Sequence, residues 1–118
     1  MRDYIVTGKK GEELAVDYLK GLGFQIIDRN WRYRRAEIDV IATFENVLHF
    51  IEVKTRTSLE FGYPEEGVTR KKINTLVRAG AAYCARFPGW PHIQFDVLAI
   101  LFTADKTTDY LFIQDVYL

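Results

Sequence analysis

The sequence predicts an α/β fold, a mixed β-sheet flanked by helices in the order α-β-β-β-α-β-β. Two observations carry this. Apolar residues recur at helical spacing in two separate stretches, while five other stretches are rich in β-branched and aromatic residues. The second helical stretch lies between two β-rich runs, so a crossover, right-handed by rule, sets the third and fourth strands parallel. At 118 residues the chain reads as one domain, long enough to bury roughly two-thirds of its unfolded surface.

Leu14, Ala15, Tyr18, Leu19 and Leu22 mark the first helix, and Gly23 is placed to end it. Phe24 to Asn30 reads as a strand. Ala36 to Phe44 and Val47 to Arg56 are β-rich runs, and the intervening Glu45-Asn46 suggests a hairpin. Gly62 and Pro64 mark Thr57 to Gly67 as a loop. The second helix starts after Thr69 as N-cap and runs toward Phe87, with Ile73, Leu76, Val77 and Gly80 inward. Pro88, Gly89 and Pro91 stop it. Ile93 to Phe102 and Tyr110 to Tyr117 complete the sheet, the former apolar on both faces as a covered strand requires.

Composition narrows the function classes. An aromatic content of 14% argues against disorder. Cys84 is the sole cysteine, so no internal disulfide is expected, and no His/Cys cluster has zinc-site spacing. Met1 to Lys10 lacks the apolar core of a signal peptide, and no apolar run approaches the ~18 residues of a membrane span. A cytoplasmic protein without a membrane partner is expected. Sixteen basic residues balance sixteen acidic ones, which argues against nucleic-acid binding by bulk charge alone. The charge is unevenly placed: residues 1–90 hold 15 Lys/Arg against 12 Asp/Glu, while residues 91–118 hold Lys106 against four aspartates. Arg29, Arg32, Arg34 and Arg35 precede an acidic pair, and Arg70, Lys71, Lys72 and Arg78 form a second group. Either group also fits a solvated surface.

The carboxylates inside the strands are the strongest signal. Glu37 and Asp39 interrupt one apolar run, and Glu52 and Lys54 the next. Strand alternation puts each pair on one face, with Leu48 and Phe50 on the face of Glu52 and Lys54. A hairpin can bring Asp39 near Glu52, where two like charges repel unless a cation lies between them. Glu37 should stand roughly 6.5–7 Å along the strand from Asp39, outside the ligand shell. A plain Glu52–Lys54 ion pair, or a strand end that reaches solvent, is the bland alternative. A hard divalent ion takes one or two carboxylates, keeps waters and neutralises charge on a phosphoryl oxygen. A nearby lysine can position the attacking water.

Helical phase adds candidates, counted at roughly 100° per residue. Glu12 falls on the flank of the first helix's apolar stripe and can reach the sheet, whereas Glu13 points to solvent. On the second helix Lys72 stands at the stripe's edge and Lys71 on the far side. His49 and His92 read as structural or solvated, Cys84 as core. Trp31, Tyr33, Tyr18 and Trp90 are candidates for base stacking, though such residues usually build cores.

Gly8-x-x-Gly11-Glu12-x-x-Ala15, Asn30-x-Arg32, Glu37-Ile38-Asp39 and Ile51-Glu52-Val53-Lys54-Thr55-Arg56 together resemble the bacterial YraN family of small endonuclease-like proteins. Val68-x-x-x-Lys72, Ala79, Tyr83 and Phe95-Asp96-Val97 continue the resemblance over nearly the whole chain. That family is similar in fold to the PD-(D/E)XK nucleases, including archaeal Holliday junction resolvases. The resemblance implies a single restriction-endonuclease-like domain over residues 1–118. It implies that Asp39 and Glu52 hold Mg2+, with Mn2+ as an alternative, that Lys54 orients water, and that Glu12 completes the acidic site. A homodimer is suggested by how related nucleases work. Ala36 stands where the family usually has glycine, and Gln94 where it often has arginine; neither position supplies a metal ligand.

The expected function is therefore metal-dependent phosphodiester hydrolysis, with DNA as partner and branched or repair intermediates as substrates. Arg32, Arg34, Arg35, Arg56 and Lys72 are the expected nucleic-acid contacts. The alternatives are a non-catalytic nucleic-acid-binding module that keeps the fold, and a structural domain whose charges fix strand register.

Overall fold

A computed structural model describes residues 2–56, 69–103 and 107–116. The elements are α1 (Arg2–Gly21), β1 (Gln25–Tyr33), β2 (Ala36–Phe44), β3 (Val47–Arg56), α2 (Arg70–Arg86), β4 (His92–Phe102) and β5 (Thr108–Ile113). They form one five-stranded sheet in the order β1-β2-β3-β4-β5, with β3 and β4 parallel and every other neighbour antiparallel. The mixed sheet, the crossover and the element order agree with the sequence.

The local signals explain the boundaries. After α1 the N–H of Gly23 bonds the carbonyl of Lys20 and that of Phe24 bonds Leu19, both at 3.0 Å. Gly23 takes φ +102°, the left-handed cap that favours glycine. Glu45 and Asn46 both have positive φ, as a two-residue hairpin with right-handed strand twist requires. Thr69 caps α2, its Oγ1 accepting the Lys72 N–H at 3.2 Å. Two boundaries differ from expectation by three residues or more. β1 continues past Asn30 to Tyr33 because Trp31 and Tyr33 pack against the cluster under α2. β5 ends at Ile113, since Asp115, with φ +58°, turns the chain so that its N–H reaches the Asp96 carboxylate. The expected loop Thr57 to Gly67 lies outside the described residues, as does Tyr117.

Each helix covers one face of the sheet. Ala15, Val16 and Leu19 of α1 pack with Val40, Ala42, Ile51, Leu98 and Ile100. Leu76, Ala79 and Tyr83 of α2 pack with Ile38, Ile41, Leu48, Phe50 and Phe95. Alternation along β2 therefore breaks once: Ile38 and Ile41 serve the α2 face, Val40 and Ala42 the α1 face. The break falls at Asp39.

The buried polar groups on the α1 face are paired. His49 Nδ1 lies 2.6 Å from Asp96 Oδ2, with both side chains buried. Asp96 Oδ1 also accepts from Gln94 Nε2 and from the Asp115 N–H, each at 2.9 Å. The Asp96 carboxylate thus ties β3, β4 and the segment after β5 together, which gives His49 the structural role expected of it. Replacing His49 with alanine leaves that carboxylate without its closest partner. A loss of about 3 kcal/mol or more is expected in urea unfolding, whereas Asp109→Ala, at an exposed site, should stay within about 0.5 kcal/mol.

Candidate active site

Asp39 sits where the sheet comes apart. The β2–β3 register runs from Phe44↔Val47 to Val40↔Ile51 and stops one step before Asp39 would face Glu52. On the other side the register passes from Arg29↔Val40 to Trp31↔Ile38, and Asn30 between them takes φ +52°. Asp39 therefore has no Cα partner on either neighbour. Its Oδ2 accepts the Val53 N–H at 2.8 Å, so the carboxylate stands in for the missing backbone partner of β3. The strand opening lets side chains from both helix-covered faces meet at one point.

Glu12, Glu37 and Asp39 meet there, each with one carboxylate oxygen within 4.8 Å of the others. Glu12 reaches in from α1, as helical phase predicts, and its Oε1 accepts from Asn30 Nδ2 at 3.3 Å. Glu13 turns outward to an ion pair with Arg29 at 2.8 Å. Gly11 is what lets α1 come this close to β3. A Cβ at Gly11 would overlap the Thr55 methyl group, so with alanine there either the Thr55 side chain or the helix must shift. Gly11→Ala should cost about 1–3 kcal/mol in thermal unfolding and withdraw Glu12 from the cluster.

Two acids are arranged differently from expectation. Glu37 reaches the cluster rather than standing outside it, because its side chain spans the distance that separates the Cα positions. It also meets Arg32, its cross-strand partner, at 3.1 Å. Glu52 lies outside the mutual set of three. Its Oε1 is 3.5 Å from Lys54 Nζ, a pair between residues two apart on one strand face. Glu52 remains a neighbour of Asp39 all the same, since its charge acts on the Asp39 carboxyl.

The electrostatics follow from this crowding. Burial is the main cause that pushes the Asp39 carboxyl from 3.8 up to about 7. The Val53 N–H opposes the rise, and the charges of Glu52, Glu37 and Glu12 add to it. Three carboxylates on a half-buried point form a hard oxygen donor set, which fits a divalent cation such as Mg2+. Such an ion would offset the repulsion that otherwise favours a proton on Asp39. Glu12, Glu37 and Asp39 are the residues placed to hold it, with Glu52 beside them.

Cations flank the acids on the α2 side. Glu37, Glu52, Lys71, Lys72, Arg35 and Thr75 line a groove of about 420 Å³ between β2, β3 and the start of α2. Lys72 is held below its ordinary 10.5, first by close contact with the Lys54 side chain, then by desolvation and the Lys54 charge. Arg56 acts in the same direction and Glu52 against it. Lys71 also lines this groove although helical phase turns it away, because it stands in the first turn, where the helix end faces the opening. Of the expected contact residues, Arg35 and Lys72 border the groove directly. Arg32 is engaged with Glu37, Arg34 lies over the Tyr33 ring at 5.3 Å, and Arg56 donates to the Thr55 carbonyl at 2.9 Å. Glu37 and Asn30 are the residues that sequence reasoning left out of the site. Both stood inside the quoted motifs, but nothing in spacing alone signals a left-handed Asn30.

Tyr18, Trp31, Trp90 and Cys84 resolve as packing. Tyr18 stacks on Tyr110 with ring centres 4.4 Å apart, and Trp31 meets Tyr83 edge-on at 5.2 Å. Trp90 and Cys84 pack against the cluster under α2. Among the described residues, no helix is long and apolar enough to cross a membrane.

Comparison with known proteins adds the family. Residues 11–100 match a family described as "Uncharacterised protein family UPF0102". A UPF0102 protein of Chlorobium limicola is 50% identical over 95 residues, covering 80% of this chain and 74% of that protein. A UPF0102 protein of Chlorobaculum parvum is 47% identical over the same length and coverage. A UPF0102 protein of Flavobacterium johnsoniae is 41% identical over 104 residues, 85% of either chain. The matched span contains every acid of the cluster, Lys54 and Lys72.

Proposed function

Because the chain belongs to the UPF0102 family, whose description assigns no activity, its function is read from its own site, and we propose a Mg2+-dependent nuclease that hydrolyses phosphodiester bonds in DNA. Branched or repair intermediates are the proposed substrates. The observation that carries this reading is the convergence of Glu12, Glu37 and Asp39 beside the Glu52–Lys54 pair, with Glu37 and Glu52 lining a groove edged by Arg35 and Lys72. A half-buried acid cluster without further purpose costs stability, and the elevated Asp39 carboxyl expresses that cost.

The residues divide the work. When bound, a divalent ion supplies charge neutralisation at the phosphoryl oxygen and lowers the pKa of a water. Glu12, Glu37 and Asp39 provide the oxygen ligands for it, with Asp39 held in place by the Val53 N–H. Glu52 fixes the Lys54 ammonium at the edge of the cluster, where it can orient a water or meet the charge that grows on the phosphate. Arg35 and Lys72 draw the strand's phosphates into the groove. Removing either charge should lower the slope of log affinity against log salt by about one per lost phosphate contact, measured by titration at several salt concentrations.

The test is a cleavage panel of single-stranded, duplex, flap and four-way-junction DNA with and without Mg2+. Mg2+-dependent cutting of at least one substrate, absent in Asp39→Ala, supports the reading. Binding that is indifferent to Mg2+, with no cutting of any substrate, would favour a non-catalytic nucleic-acid-binding module instead.

A further inference from the structure

A second depression adjoins the groove, and the acid cluster does not account for it. It has a volume of about 730 Å³ and lies between the β1–β2 turn and the middle of α2. Such a volume falls within the roughly 300–1,000 Å³ of small-ligand sites. Ala81 and Ala82 of α2 form an apolar wall, and Tyr33 at the end of β1 lines the same depression, its ring parallel to that of Trp31 at 6.5 Å. Arg34, Arg35 and Arg78 surround the opening. Among the described residues none of these three arginines is in an ion pair, in contrast to Arg32, which is matched to Glu37. The two depressions share Arg35, Ala36 and Thr75, so one trough runs from the carboxylates to the arginine-rimmed pocket.

We infer that this pocket receives one unpaired nucleobase of the strand whose backbone crosses the carboxylate groove, an inference that rests on the nuclease reading above. The chemistry matches on both counts. A base presents a flat apolar face that suits Tyr33 and the alanine wall, and its flanking phosphates suit Arg35 and Arg78. The Arg34 guanidinium over the Tyr33 ring makes that wall cationic as well as aromatic, which favours an electron-rich base stacked against it. A base inside a continuous duplex has to break pairing and stacking to enter, whereas a base at a flap, a gap or a splayed junction arm does not. The pocket thereby selects strands with an unpaired nucleotide next to the bond to be cut.

The test measures binding by the full chain without divalent cation, so it does not depend on cleavage. Two ligands are compared, a duplex and the same duplex extended by a single-stranded flap with 2-aminopurine at the first unpaired position. The flap ligand should bind about tenfold more tightly, with the 2-aminopurine fluorescence quenched on binding. Ala81→Phe, which fills the pocket, and Tyr33→Ala, which removes its aromatic wall, should each bring the flap-to-duplex affinity ratio to within about twofold. Equal affinity for the two ligands would overturn the inference, as would a preference that survives both substitutions. A protein that keeps the flap preference and the quenching but cuts nothing with Mg2+ would support the pocket and refute the nuclease reading alone.

Discussion

Replacing Asp39 with asparagine should remove Mg2+-dependent cleavage, a fall of about a thousandfold or more, while nucleic-acid affinity stays the same or rises. The loss follows from taking away the carboxylate that the other acids surround. The affinity follows from relieving its repulsion of phosphate. The same substitution has a consequence for the folded state that no catalytic assay reads. Burial raises the Asp39 carboxyl to about 7, so between about pH 4 and pH 7 the folded protein keeps a proton that the unfolded chain has released. The stability linked to this group is full below its unfolded value and is lost as pH rises through about 7. Without divalent cation the native protein should therefore lose up to about 4 kcal/mol from this group between pH 4 and pH 8. Asp39→Asn should flatten that dependence and be the more stable protein at pH 8. Urea unfolding at the two pH values reads both effects, and a variant less stable than the native protein at pH 8 would contradict the burial account.

Lys54→Met should cut the turnover rate by about a hundredfold to a thousandfold with a smaller change in KM. Lys54 lies beside Glu52 at the edge of the acid cluster, where its charge acts on the reacting phosphate more than on substrate binding. Lys72 should behave in the opposite way. It is exposed at the first turn of α2, so Lys72→Met should weaken binding and alter turnover little. Removing Lys72 also takes a positive neighbour from Lys54, and single-turnover rates across pH separate that effect from the loss of binding. Equal losses of turnover for the two variants would contradict the division of roles.

Much of this site is legible in the sequence alone. Strand alternation puts Glu52 and Lys54 on one face, and helical phase separates Glu12 from Glu13. Those features repeat with the period of the backbone, and a sequence displays such periods directly. The opening of the sheet at Asp39 does not. It depends on the left-handed φ of Asn30, on a β2–β3 register that stops at Val40, and on the Asp39–Val53 bond, all of which are tertiary. For that reason Glu37 joins the cluster while Glu52 turns to Lys54, although spacing favoured Glu52 as the partner of Asp39. The Asp96 network was hidden for a similar reason. Its members lie 47 residues apart in the case of His49, and only the parallel pairing of β3 with β4 brings them together. Gly11 was visible in its motif, but the need for it became apparent only once Thr55 lay across from it.

The claim on which the account turns is that the acids of α1 and β2 form a cation site. Thermal unfolding with and without Mg2+, at pH 5 and pH 8, tests it without any substrate. Mg2+ at a hundred times its dissociation constant should stabilise the native protein by about 2.7 kcal/mol at pH 8. The effect should be much smaller at pH 5, where Asp39 holds a proton, and absent in Asp39→Asn at both values. A native protein that Mg2+ and Mn2+ leave unchanged at pH 8, or an Asp39→Asn variant stabilised as much as the native chain, would contradict it.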